Sequence, residues 1–328
     1  MDMTENSNNQ RSWPAAIADP VPAGLIRGEM DCLKDRILFE SGDYRVYLIR
    51  STDAPNAMRE LYRLREETFR LVGEGTGRPE DTDIYDTRYY HLILWNITEA
   101  EIAGAYRIGD CGSVMDEYGG IKGIYTASLV RYSDEAVPFL SRCMELGRSF
   151  IRSKYQREVN TLRLLFAGLT VSSLYMPGAR YYMGPVSISN DYPRFYQSLI
   201  VRFLTRDFLL PDAERIVTPT HPFVPDGSAD FDEMLKDIPA GDIDGFDRMM
   251  LSMSDGKYRL PVLVRQYFNC AARLACFNVD PDFTNSLDGL IFLDVKKFPP
   301  QKLRSFLRCV PEGLRDKVFG HFLGSSGV

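Results

Sequence analysis

The chain has 328 residues, longer than a usual single domain, so one large domain or a domain with an appendage is expected. Its residues are 45% hydrophobic and 12% aromatic, enough for a packed core, which excludes disordered, collagenous and disulfide-scaffold classes. A net charge of −6 argues against a general nucleic-acid binder, and no apolar run approaches the length that spans a bilayer.

Residues 1–20, rich in Asn, Pro and Ala, read as a flexible tail. The polar, acidic start MDMTENSNNQRSW lacks a basic region followed by an apolar core, so a cytoplasmic protein is expected. RVYLIR (Arg45–Arg50) predicts a strand, and the following STDAP predicts a helix start with Asp53 as N-cap. PNAMRELYRLREETFRLV has helical periodicity, with Met58, Leu61, Phe69 and Val72 on one face and Arg65 inside the same stripe. After the loop GEGTGRPEDTDIYD come the strand patterns HLILWNI (His91–Ile97) and EIAGAYRIG (Glu101–Gly109). A long stretch to about Pro138 has no clear pattern. MELGRSFI (Met144–Ile151) then predicts a strand, TLRLLFAGLTVSSLYM (Thr161–Met176) a buried helix, YYMGPVSIS a strand and PRFYQSLIVRFLTRDF an amphipathic helix. This order is that of an α/β or α+β fold, a sheet with helices packed on it, over residues 21–210.

From 211 to 328 the texture changes. A Pro-rich acidic stretch leads to helical patterns at Phe231–Ile238 and Ile243–Met253, then to LPVLVRQYF and GLIFLDV, both strand-like. This C-terminal extension is expected to pack on the sheet or complete it. The six cysteines, Cys32, Cys111, Cys143, Cys270, Cys276 and Cys309, form no CxxC pair, and His91, His221 and His321 lie far apart. Free, buried thiols and no metal site are therefore expected.

Four clusters carry chemistry: Arg65 with Phe69, Asp83 with Asp86, Arg107 on its alternating strand, and Glu145 with Arg148. Each has a plain alternative, since strand-borne charges usually face solvent and Arg65 can snorkel. Arg107 shares its strand face with Ala103, Ala105 and Gly109, small residues of the kind found where a ligand approaches. Glu145 and Arg148 are three apart, so ideal pleating places them on opposite faces unless Gly147 hosts a bulge.

The order LREETF, DTDIYD, GAYRI, ELGRSF resembles the acyl-carrier-dependent GNAT acyltransferases over Tyr44 to Phe208. The resemblance is to the ornithine- and glycine-lipid N-acyltransferases, the hemolysin-like family, and more distantly to acyl-homoserine-lactone synthases. PVLVRQYF, CFNVDPDF and LDGLIFLDV resemble the C-terminal stretch of hemolysin-like proteins, in which this domain is often joined to a phospholipid acyltransferase; that enzyme's HxxxxD motif is absent here. The resemblance implies a GNAT-like mixed sheet and an enzyme that moves a long-chain acyl group to the amine of a small amino acid, making an acyl-amino-acid lyso-lipid. It implies that Arg65, Phe69, Asp83, Asp86, Arg107, Glu145 and Arg148 line the acceptor side. Glu145 would then be general base, Asp83 and Asp86 would hold the amine, and Arg107 or Arg148 the carboxylate.

For the donor, an acetyl-CoA-type GNAT shows a Q/RxxGxG/A loop, whereas this chain reads SKYQREVNTLRLLF, without the glycines. The expected donor is therefore acyl carrier protein through its phosphopantetheine thioester, with acyl-CoA as the alternative and no bound cofactor. Ser149, Arg152, Lys154 and Arg157 fall on the donor side, and Arg152, Lys154, Arg157 and Arg163 could meet an acidic carrier. In NDYPRFYQ, Tyr196, or secondarily Tyr192, matches the GNAT tyrosine that protonates the departing thiolate. The competing class is a non-catalytic partner that docks the carrier or a lipid O-acyltransferase. A transient contact with the inner membrane surface fits either class.

Overall fold

The computed structural model describes residues 12–158 and 160–324. The strands are β1 (Ile37–Ser41), β2 (Tyr44–Arg50), β3 (Tyr90–Asn96), β4 (Glu101–Asp110), β5 (Val130–Tyr132), β6 (Cys143–Ile151), β7 (Tyr181–Ile188), β8 (Val217–Pro219), β9 (Arg273–Asp280) and β10 (Ser286–Asp294). Eight of them form one sheet in the order β1-β2-β3-β4-β6-β7-β10-β9, and β5 pairs with β8 apart from it. Neighbours in the large sheet run antiparallel except β6 and β7, which are parallel. The helices that matter to the site are α1 (Ala23–Cys32), α2 (Pro55–Leu71), α3 (Thr161–Ser172), α4 (Arg194–Phe208), α5 (Ile243–Met253) and α6 (Val262–Phe268).

The alternation of the central strands explains the layering. Val46, Leu92, Leu94 and Leu146 face one side and pack with Leu165 and Leu169 of α3 and with Leu199 and Phe203 of α4. Tyr47, Ile49, Ile93, Trp95 and Ala105 face the other and pack on Met58, Leu61 and Leu64 of α2. β9 and β10 hydrogen-bond into the same sheet beside β7, and their Leu274 and Leu287 join the α3-side core. Among the described residues no helix is long and apolar enough to cross a membrane.

Several local expectations are corrected. The cap of α2 is Ala54, because the Asp53 carboxylate instead accepts the Arg50 N–H at 2.9 Å, closing the turn behind the strand. Val72 lies past the end of α2 and is 48% exposed, so it is not part of the apolar stripe. PVLVRQYF is not a strand: Pro261 starts α6, whose Val264 and Phe268, four apart, are the buried pair. Residues 12–20 of the expected tail are held rather than loose. The Ala18 N–H donates to the Pro79 carbonyl at 3.0 Å, and Arg70 donates to the Ala15 carbonyl while lying over the Trp13 ring. The first 11 residues of that expected tail lie outside the described residues. The six cysteines are free, but only Cys111, Cys143 and Cys270 are buried, while Cys276 and Cys309 are half-buried and Cys32 is exposed.

Candidate active site

The site begins with a fault in the sheet. β4 and β6 pair Arg107 with Gly147 but Ala105 with Phe150, so Tyr106 alone faces both Arg148 and Ser149. This is a β-bulge, and its strained residue is Arg148 rather than the expected Gly147, with φ at 48°. The extra residue turns Arg148 to the face that carries Glu145, and both side chains reach Tyr125. Beside the bulge, β6 and β7 pair only from Cys143 to Glu145 and from Tyr181 to Met183. Where they begin to part, a Cβ on Gly184 would sit 2.1 Å from the Leu146 carbonyl oxygen, so a glycine is what permits the approach.

Arg65, Arg107 and Arg148 form a buried network with Asp81, Asp83 and Asp86. Arg65, 1% exposed, pairs with Asp86 at 2.8 Å and Asp81 at 3.2 Å, so it does not snorkel. Arg107 meets Asp83 at 2.5 Å and Asp86 at 3.3 Å, and Arg148 meets Asp81 at 3.0 Å and Asp83 at 3.3 Å. The formal charges cancel. Burial opposes ionisation of Asp86, yet the Arg65 and Arg107 guanidinia hold its carboxyl well below the usual carboxylate range. Asp81 is likewise lowered against its burial, by Arg148 and Arg65. Burial pushes His91 down to about 4, so the ring is neutral near pH 7, with Nε2 2.9 Å from the Asp86 carbonyl oxygen. Asp83 and Asp86, expected to hold an amine, also brace each other's turn as a capping box.

Glu145 is 1% exposed and already engaged. Its carboxylate accepts the Tyr125 N–H at 3.0 Å, the Thr126 N–H at 2.7 Å and the Tyr89 hydroxyl. Gly109, its partner across the ladder, makes room for Tyr89: a Cβ there would fall 2.6 Å from the ring. Glu145 thus anchors the turn that presents Tyr125, whose ring lies about 5.0 Å from the Arg107 guanidinium and 5.1 Å from that of Arg148.

A cleft of about 700 Å³ opens where β6 and β7 diverge. Phe69, Gly147, Arg148, Ser149 and Tyr125 line it on one side, and Ser187, Ser189, Asp280 and Asp288 on the other. Glu145, Arg65, Arg107, Asp83, Asp86 and Tyr196 are not among its lining residues. Phe69 sits edge-on to Phe283 with ring centres 5.4 Å apart. Among the described residues Arg148 is the one cation in the lining, against the carboxyl groups of Glu74, Asp191, Asp280 and Asp288. Burial pushes the Asp288 carboxyl up to about 7, with Asp280 adding to the rise and Ser187 and Arg148 opposing it. Burial also pushes Glu74 up to about 8, helped by Asp288 and Asp191. A narrow apolar pocket of about 50 Å³ adjoins the cleft and shares Leu146, Pro185 and Tyr267 with it; Phe166, Leu169 and Ile291 close it.

The expected donor side is less open than its sequence suggests. Arg152 pairs with Glu101 at 2.7 Å, and Lys154 with Glu99 at 3.0 Å and Glu101 at 2.5 Å; Arg157 is exposed. Gln156, ahead of α3, and Leu162, in its first turn, line one end of the cleft. The Tyr196 hydroxyl donates to the Met253 carbonyl at 3.1 Å, away from the cleft, whereas Tyr192 lines it and donates to the Arg259 carbonyl at 2.9 Å. Asp81, Tyr89, Tyr125, Glu74, Asp280 and Asp288 escaped the sequence reading. For the last two a signal existed: each is an acid in a mostly apolar strand, RLACFNVD and SLDGLIFLD.

The large, mostly antiparallel sheet flanked by helices is consistent with a GNAT fold, and the acetyltransferase (GNAT) domain model matches residues 64–166. A glycine N(alpha)-acyltransferase of Bacteroides thetaiotaomicron is 30% identical over 317 residues, 91% of this chain and 93% of that protein. One of the same name from Phocaeicola vulgatus is 28% identical, over 91% of this chain and 96% of that protein. The chain belongs to this family of GNAT-type N-acyltransferases. Among solved structures, the acyl-homoserine-lactone synthase LasI is similar at 16% identity, over 54% of this chain and 88% of that one, with a TM-score of 0.34. The CoA-dependent acyl-homoserine-lactone synthase BjaI is similar at 17% identity, over 47% and 71%, with a TM-score of 0.30.

Proposed function

We propose that this enzyme transfers a long-chain acyl group from the phosphopantetheine thioester of acyl carrier protein to the amine of a small amino acid, forming an acyl-amino-acid lyso-lipid. The observation that carries the reading is the cleft at the β6–β7 divergence. It joins an apolar pocket, suited to the start of an acyl chain, to a wall of carboxyl groups suited to an amine. Glycine is the first acceptor to test, because both curated relatives are named for it. Arg148 faces the acceptor's carboxylate from the bulge, while the Arg65–Asp81–Asp83–Asp86–Arg107 network holds Arg148 in place.

The carrier is preferred over coenzyme A as donor because the SKYQREVN segment lacks the glycines that let a backbone close around a pyrophosphate. Phosphopantetheine on a carrier has no pyrophosphate to bind. Val72 and Val262, 48% and 59% exposed, stand on the cleft rim, where an acylated product would leave toward a membrane surface. The test is a donor comparison on the purified chain with glycine as acceptor, read by mass spectrometry. A kcat/KM at least tenfold higher with palmitoyl carrier than with palmitoyl-CoA is expected. Equal values would contradict the donor assignment, and no N-acylglycine from either donor would contradict glycine as acceptor.

A further inference from the structure

A general base for this reaction must line the cleft and keep its carboxylate uncommitted to a cation. Glu145, Asp81, Asp83 and Asp86 each fail one condition or the other. Glu145 is occupied by two backbone amides and a phenol outside the cleft lining. Asp81, Asp83 and Asp86 are tied to guanidinia. Asp280 lines the cleft, but its carboxylate accepts the Asp282 N–H at 2.9 Å and caps the turn after β9.

Asp288 meets both conditions. It lies near the start of β10, paired across the ladder with Ser187 on β7 and Asn278 on β9, so its backbone is fixed from both sides. The residue is 4% exposed, yet it lines the cleft opposite the bulge residues Gly147 and Arg148. Hydroxyls contact its carboxylate, Ser286 at 3.4 Å and Ser187, and among the described residues it forms no salt bridge.

Taking the chain as an N-acyltransferase, we infer that Asp288 is the residue that removes the proton from the acceptor amine. The nitrogen lone pair attacks the thioester carbonyl carbon, and the C–N bond forms as the carbonyl π pair moves to oxygen. The Asp288 carboxylate takes the N–H proton. The pair on oxygen returns, the C–S bond breaks, and the thiolate takes up the proton, which regenerates the carboxylate. Burial sets its protonation first, then Ser187 on β7, Asp280 on β9, Arg148 on β6 and Ser286 on its own strand, and its charge is felt in turn by Glu74 beyond α2 and by Tyr125 on its turn. With its carboxyl pushed up to about 7, the base is half-ionised near neutral pH, where proton transfer is most effective.

The experiment measures the full chain with a saturating acyl donor and glycine across pH 5.5–9, for wild type, Asp288→Asn and Asp280→Asn. Asp288→Asn should lower kcat by about 100-fold or more, with the KM for the donor within about 3-fold and no loss of melting temperature. Wild-type kcat should rise through an inflection near 7, and Asp280→Asn, by removing a neighbouring negative charge, should move that inflection to lower pH. If Asp288→Asn does not fold, the Asp280→Asn shift decides the matter. Asp288→Asn within about 5-fold of wild type, or an inflection unmoved by Asp280→Asn, would overturn the inference while leaving N-acyl transfer intact. A wild type that acylates no amine would overturn the functional reading and the inference together.

Discussion

Glu145→Gln separates an anchor from a base, because the structure fixes what the substitution removes. One Glu145 oxygen accepts the Thr126 N–H at 2.7 Å, and the other accepts the Tyr125 N–H at 3.0 Å together with the Tyr89 hydroxyl. The Tyr125 N–H also donates to the Tyr89 oxygen at 2.8 Å. Glutamine can therefore turn its carbonyl to Thr126 and its NH2 to Tyr89, whose hydroxyl swings round to accept, while Tyr125 keeps the Tyr89 oxygen. The loss is then about one charge-assisted hydrogen bond, roughly 1.5–3 kcal/mol, because the buried Tyr89 O–H gives up its acceptor. For a domain of this size that is a fall in Tm of about 3–6 °C. Well below the new Tm, kcat/KM should drop by less than about 10-fold, since Tyr125 keeps most of its position. Calorimetry and steady-state turnover on the same preparation provide the assay. An unchanged Tm with kcat/KM lowered by about 100-fold would refute the anchor and make Glu145 the base.

Asp288→Asn should also alter stability with pH. The folded carboxyl titrates near 7 and the unfolded one near 3.8, so the folded state binds the extra proton between these values. Wild-type stability from this group therefore falls as pH rises from about 4 to about 7, by an upper bound of about 4 kcal/mol, and Asp288→Asn abolishes that slope. Urea titrations of both proteins at pH 5 and pH 8 check it, and parallel pH dependences would contradict it. Arg65→Ala leaves Asp81 with Arg148 and Asp86 with Arg107 but takes one of two cations from each and leaves the buried network with a net negative charge, which should cost about 3–5 kcal/mol, read as a lowered urea midpoint; an unchanged midpoint would show that the network does not depend on Arg65. Gly184→Ala forces a methyl against the Leu146 carbonyl and should cost about 1–3 kcal/mol and reduce turnover by disturbing the point where the cleft opens. Full activity with an unchanged melt would contradict the need for that close approach.

Periodicity made the sheet legible. RVYLIR, HLILWNI, EIAGAYRIG and YYMGPVSIS alternate or run apolar because each strand packs on helices from one or both faces, and their bounds came within a residue or two. PVLVRQYF misled because a short run of β-branched and aromatic residues fits a strand or a buried helical turn equally, and only Pro261 at its start favours the helix. Within the site, Arg148 stood out as a residue three places from Glu145 that needed a bulge, and the bulge is there. The commitments of Asp83 and Asp86 were not legible, because whether a carboxylate meets a ligand or an arginine depends on residues far along the chain, here Arg65, Arg107 and Arg148. Asp288 was missed for a related reason: its importance arises from the parting of β6 and β7, which no local pattern encodes.

Lipid mass spectrometry of cells expressing this chain, against cells with the empty vector, tests transfer of an acyl group to an amino acid most directly. A new series of N-acyl amino acids is expected, spaced by two methylenes and traced to glycine by isotope labelling. A lipid profile identical in both cells, with the chain folded and abundant and both substrates available, would contradict it.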